Sequence, residues 1–108
     1  MNIPDLNEGD LVYLYSQGKD INTSNYIGTF LKQGTSNNEI FLNNVLVAET
    51  ISEWGGAKVP IEIRIVSGSK SFDLDHSTIN HIIVGKKDTI TELKRANLDC
   101  LIPLVKKF

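Results

Sequence analysis

Residues 9–18 (GDLVYLYSQG), 26–34 (YIGTFLKQG) and 39–49 (EIFLNNVLVAE) decide the fold of this chain, because they read as three short strands punctuated by glycine. In the first, over 10–16, Leu11, Tyr13 and Tyr15 alternate with Val12, Leu14 and Ser16, the two-residue period of a pleated strand. Both faces are largely apolar, which predicts that both are covered. The second, over 26–32, carries Ile27 and Leu31 around Gly28, and a glycine inside a strand marks a bend or a close backbone approach. The third, over 39–51, is dense in Ile40, Phe41, Leu42, Val45, Leu46 and Val47 and is long enough to curve through two sheets. Small barrels close through such bends, so a strongly bent three-strand meander is expected.

Further along, residues 58–67 (KVPIEIRIVS) set Ile61, Ile63 and Ile65 against Glu62, Arg64 and Val66, the pattern of a half-exposed strand with Pro60 near its start. Gly55 and Gly56 predict a turn before this strand. The run Val66, Ser67, Gly68, Ser69 predicts a second turn, after which 70–75 pairs back as a hairpin. Residues 78–84, rich in isoleucine, form the next strand, with Gly85 as its stop. Thr89 and Glu92 have capping-box spacing and predict a helical stretch beginning there. That stretch is a short helix or an irregular turn, and the chain then becomes strand-like over 100–105. At the other end, Pro4 and Asp5 suit a short helical turn that Gly9 would end. The expected class is mainly β: a small, strongly bent barrel with a short N-terminal helical turn and a short C-terminal helix.

One hundred and eight residues, 41% of them hydrophobic, predict one domain with a single core, at a size where association adds stability. The lone cysteine, Cys100, makes no internal disulfide, suits a reducing compartment, and is read as a small buried hydrophobe beside Leu98 and Leu101. No segment reaches the ~18 apolar residues of a membrane span, and residues 1–5 lack the basic and apolar parts of a signal peptide. The expectation is a soluble, cytoplasmic protein. A net charge of −2 argues against coating nucleic acid by bulk electrostatics. The charge is uneven, however: residues 1–85 hold 5 basic and 10 acidic side chains, a net −5, whereas 86–108 hold 6 and 3, a net +3.

The glycine-punctuated run resembles the Sm and LSm proteins. Gly9, Asp10, Leu11, Val12, Tyr13 and Leu14, followed by Gly18, resemble the opening of that family's first motif; Gly28, Thr29 and Phe30 resemble its G-x-L, and residues 40–45 with Glu49 resemble its closing strand. The family's second motif ends Ile-Arg-Gly. Ile82, Ile83, Val84 and Gly85 resemble it, with Val84 in place of the arginine and Lys86 and Lys87 following. Where the family has a base-holding turn with an aspartate and a Met-Asn pair, this chain has Gly34, Thr35, Ser36, Asn37 and Asn38, with Asn38 the nearest equivalent. Between the motifs, 52–82 is an elaborated insertion. The resemblance implies a single Sm-like (SH3-like) barrel over 1–108. It also implies a homo-oligomeric ring of about five to seven copies, in which one subunit's open edge pairs with the next subunit's opposite edge. The implied activity is non-catalytic binding of single-stranded RNA or DNA, as a scaffold or chaperone. On that reading Asn37 and Asn38 meet base edges, Tyr26 stacks, and Lys86 and Lys87 meet phosphate.

Catalytic signatures are missing from the sequence: it holds no G-x-S-x-G, no P-loop, no dinucleotide fingerprint and no paired-cysteine zinc pattern. An enzyme is not expected, and neither is a cofactor or a metal. The one concentration of acid–base groups, Asp73, Asp75, His76 and His81, falls in a polar turn, where such residues serve local hydrogen bonding. Metal-assisted chemistry there is a third alternative. Trp54 is read as a core or interface residue. The principal alternative to nucleic-acid binding is a structural or assembly protein that uses the same sheet edges for protein contacts only.

Overall fold

Five strands and a helical C-terminal segment follow one another along the chain: β1 (Leu11–Gln17), β2 (Asn22–Gln33), β3 (Glu39–Ser52), β4 (Lys58–Asp73), β5 (His81–Val84), α1 (Lys86–Arg95), a 3-10 turn (Asp99–Leu101) and α2 (Ile102–Val105). They come from a computed structural model that describes residues 5–17, 22–36, 38–52, 58–74, 81–95 and 98–106. The strands form one antiparallel sheet in the order β4-β3-β2-β1-β5. Consecutive strands are neighbours except for β5, which returns to pair with β1.

The sheet bends because its long strands carry bulges where the sequence supplies the right residues. A straight 16-residue strand would span about 50 Å, yet the longest extent of the molecule is 41 Å. Opposite Gly28 the ladder skips from Ile27–Leu46 to Thr29–Asn43, so β3 inserts one residue more than β2. Asn44 lies in this insertion and takes a φ of 52°, the left-handed region that asparagine tolerates. The insertion resets the side-chain alternation. Ile40 and Leu42 before it and Val45 and Val47 after it therefore all join the same buried cluster. Gly28 permits the close approach expected of it: a Cβ there would lie 3.1 Å from Val45 Cγ2 and 3.2 Å from both Asn43 O and Leu42 Cβ.

Both faces of β1 are covered, as its two apolar rows require. Inside the bend, Val12 and Leu14 pack with Ile40, Leu42, Val45, Val47, Phe72 and Leu74. On the outer face, Leu11 and Tyr13 join Ile27, Leu46 and Ala48 beneath the C-terminal helices, which contribute Leu93, Leu98, Leu101 and Val105. All four of these helical side chains are fully buried. Burying each contributes about 1.5–3 kcal/mol, which holds a pair of short helices that would not persist alone.

Several expectations are corrected. The mainly β class holds, but closure into a barrel is not shown: the five strands make one bent sheet whose edge strands β4 and β5 share no ladder among the described residues. Residues 66–69 are not a turn but a bulge within one continuous β4, with Gly68 at φ 80° and with Ser67 and Gly68 facing the single residue Asn44. Residues 5–10 form no helix; the Asp10 carboxylate accepts the Asn7 N–H at 2.8 Å and closes a tight turn instead. The expected cap at Thr89 is also overturned. Gly85, at φ 106°, turns the chain directly from β5 into α1, and Thr89 lies buried inside the helix with its hydroxyl donating to the Gly85 carbonyl at 2.9 Å. Residues 100–105 are helical rather than extended, since Pro103 occupies the first turn of α2, where its missing N–H costs nothing. Cys100 is exposed, not buried, because Leu98 and Leu101 take the inward positions of that segment.

Candidate binding surface

The residues expected to bind nucleic acid do not share one place. Tyr26, on β2, is half-buried and packs against the inner cluster, its ring in an edge-to-face contact with that of Phe72 at 5.1 Å. Asn38 sits at the β2–β3 turn, where its carbonyl accepts the Leu74 N–H at 2.8 Å and ties the turn to the end of β4. Asn37 lies outside the described residues. The turn itself is held by Glu39, whose carboxylate accepts the Thr35 N–H at 3.2 Å and occupies the space a side chain at Gly34 would need. Lys86 and Lys87 are exposed at the start of α1, and the Lys86 ammonium donates to the Lys106 carbonyl at 3.3 Å. In the sheet order, β2 and β1 stand between β3, where the Asn38 turn leads, and β5, which leads to the two lysines.

Of the acid–base cluster, Asp73 and His81 are among the described residues. Asp73 is exposed at the end of β4, directly opposite Glu39, and His81 begins β5 opposite Tyr15. Asp75, His76 and Trp54 lie outside the described residues. Among the described residues no group of histidine, cysteine and acidic side chains is placed to hold a metal ion.

The sheet edge presents a more unusual surface. Ile63 and Ile65 on β4 are 43% and 66% exposed, the only large hydrophobic side chains so exposed among the described residues. The alternation over 58–67 would turn these isoleucines inward. They remain outside because the ladder sets Ile65 beside Leu46 and Ile63 beside Ala48, and the helical cap that buries Leu46 and Ala48 stops at β3. On the opposite face Glu62 and Arg64 form an exposed ion pair at 3.1 Å. Such a pair adds little stability. Long edge strands are ordinarily blunted by charge, proline or cover, because their outward N–H and C=O groups recruit another strand. Between the bulges at Ile61 and at Ser67 and Gly68, β4 offers a regular stretch, 62–66, bearing exposed isoleucine on one face and one charge of each sign on the other.

A second feature that sequence reasoning passed over is a buried polar network. Tyr13 donates its hydroxyl to Asn25 Oδ1 at 2.6 Å, and Asn25 Nδ2 donates to the Ala48 carbonyl at 3.0 Å and toward the Thr50 hydroxyl at 3.5 Å. Tyr13, Asn25 and Thr50 are all at most 2% exposed. Burial pushes the Tyr13 phenol well above its ordinary range, and the nearby Tyr15 and Glu92 add to the effect. A phenol so held stays protonated and is a structural donor, not a general base. The network crosses β1, β2 and β3 beneath the helical cap and fixes their register.

No protein-family model matches this chain, and no curated protein matches it either. Among the described residues no helix is long and apolar enough to cross a membrane.

Proposed function

We propose that this protein is a non-catalytic assembly component whose contacts are made by adding a strand to the open edge of its sheet. The observation that carries the reading is the β4 edge, where Ile63 and Ile65 are exposed on a 16-residue strand whose outer side meets no other strand among the described residues. Strand addition joins main-chain hydrogen bonds to burial of alternate side chains, and this edge supplies both. Light scattering tests it: the wild type runs above the 12.0 kDa of one chain, and an Ile63→Lys/Ile65→Lys variant runs as a folded monomer. A wild type that stays monomeric at every concentration would refute it.

A second reading is a ring that binds single-stranded nucleic acid, supported by the exposed Lys86 and Lys87 and by two sheet edges, β4 and β5, that are open among the described residues. Fluorescence anisotropy with uridine-rich and adenine-rich oligonucleotides separates it from the first. Salt-sensitive binding that weakens in a Lys86→Ala/Lys87→Ala variant favours the ring, and no binding at low salt rules it out.

A further inference from the structure

Resting on the edge-assembly reading, we infer that the occupant of the β4 edge is the β4 edge of a second copy, paired antiparallel about a two-fold axis through Ile63. In an antiparallel ladder only every second residue turns its N–H and C=O outward, so a two-fold register must be centred on a residue rather than between two. Within the regular stretch 62–66 this leaves five registers. Centring on Glu62 sets two carboxylates face to face, and centring on Arg64 sets two guanidiniums face to face. Like charges directly opposite one another destabilise a strand pair. Centring on Ile65 places Arg64 against Val66, and centring on Val66 places Arg64 against Gly68 and reaches from Glu62 to Lys70 only across the bulge at Ser67 and Gly68, so neither pairs both charges within the regular stretch.

Centring on Ile63 places Glu62 of each copy opposite Arg64 of the other, giving two reciprocal ion pairs on one face. On the other face it sets Ile63 against Ile63 and brings Ile65 to the bulge at position 61, where the regular stretch of the other copy ends. One operation therefore covers the exposed isoleucine at the centre and joins the Glu62–Arg64 pairs of the two copies into one alternating cluster of four charges, the self-complementarity that an isologous contact demands. The two bulges limit the pairing to a short stretch, so the dimer is reversible and concentration-dependent. At its far end Pro60 falls opposite Val66 and offers no N–H to extend the ladder.

Charge exchange with mixing tests this register. Glu62→Arg alone leaves two arginines on each edge, and Arg64→Glu alone leaves two glutamates. Each variant by itself therefore dimerises roughly tenfold more weakly than wild type. An equimolar mixture of the two restores a heterodimer at least as tight as the wild-type dimer, read by sedimentation velocity with one partner fluorescently labelled. Circular dichroism confirms that each variant is folded. If both variants are weakened but the mixture is not rescued, β4 meets some other surface, such as β5 in a head-to-tail ring, and the inference fails while edge assembly stands. If both variants associate like wild type, the register is wrong. A wild type that is monomeric up to millimolar concentration overturns the inference and the edge-assembly reading together.

Discussion

Replacing Tyr13 with phenylalanine removes one oxygen and tests whether the buried Tyr13–Asn25 bond organises the centre of the sheet. The hydroxyl donates at 2.6 Å in a site where both residues are at most 2% exposed, so water does not replace it. The loss leaves Asn25 Oδ1 buried without its donor, which costs about 1–3 kcal/mol. With a urea m-value of about 1.5 kcal/mol/M, a loss near the middle of that range lowers the unfolding midpoint by roughly 1–2 M at unchanged slope. Asn25→Leu made together with Tyr13→Phe removes the unsatisfied Oδ1 but also takes the Asn25 Nδ2 donor from the Ala48 carbonyl, so it does not restore wild-type stability. The pH dependence carries a second signature. The folded phenol holds its proton above its ordinary range, so its contribution is fully present below the unfolded value near 10 and declines as pH rises above it. The gap between wild type and Tyr13→Phe should therefore be constant from pH 7 to 9 and narrow above pH 10. Urea titrations at low protein concentration across that range provide the assay. A midpoint change under about 0.3 M, or a gap that does not move with pH, would refute the argument.

Other consequences follow from the packing. Gly28→Ala forces a Cβ to within 3.1–3.2 Å of Val45, Leu42 and the Asn43 carbonyl, and a loss of about 1–3 kcal/mol in chemical denaturation is expected from overpacking. Leu93→Ala empties a fully buried position under α1; a destabilisation of about 2–5 kcal/mol, measured the same way, would show that the C-terminal helices are part of the core rather than an appendage. Cys100 is exposed and should react with a disulfide thiol reagent in the native protein, as fast in buffer as in denaturant, whereas a buried thiol would react only on unfolding.

Much of the sheet was legible in the sequence because it rests on local signals. The alternation of Leu11, Tyr13 and Tyr15 with Val12 and Leu14 gave β1 and its two covered faces, and Gly28 marked the bend before any ladder was known. The errors arose where one local signal has two outcomes. Ser67 and Gly68 suit a turn and a bulge equally, and the choice was made by the pairing of β3 with both halves of β4. Thr89 and Glu92 have the spacing of a cap, but Gly85 had already started the helix one turn earlier. For Ile63 and Ile65 the period of two was correct, yet their exposure depends on how far the helical cap reaches across the sheet, a tertiary quantity that no window of residues contains. The same limit applies to the site. Tyr26 carries the right chemistry for stacking, but its packing against Phe72, a residue 46 positions away, is a contact that no local window contains.

Residue-resolved amide hydrogen exchange over 62–66, measured at protein concentrations from micromolar to millimolar, tests the central claim most directly. Every second amide in this stretch faces away from β3. If the β4 edge is the assembly surface, those outward amides exchange freely in dilute solution and become protected as concentration rises, and the Ile63→Lys/Ile65→Lys variant abolishes the change. Exchange of the outward amides at one rate across the whole range would contradict the claim.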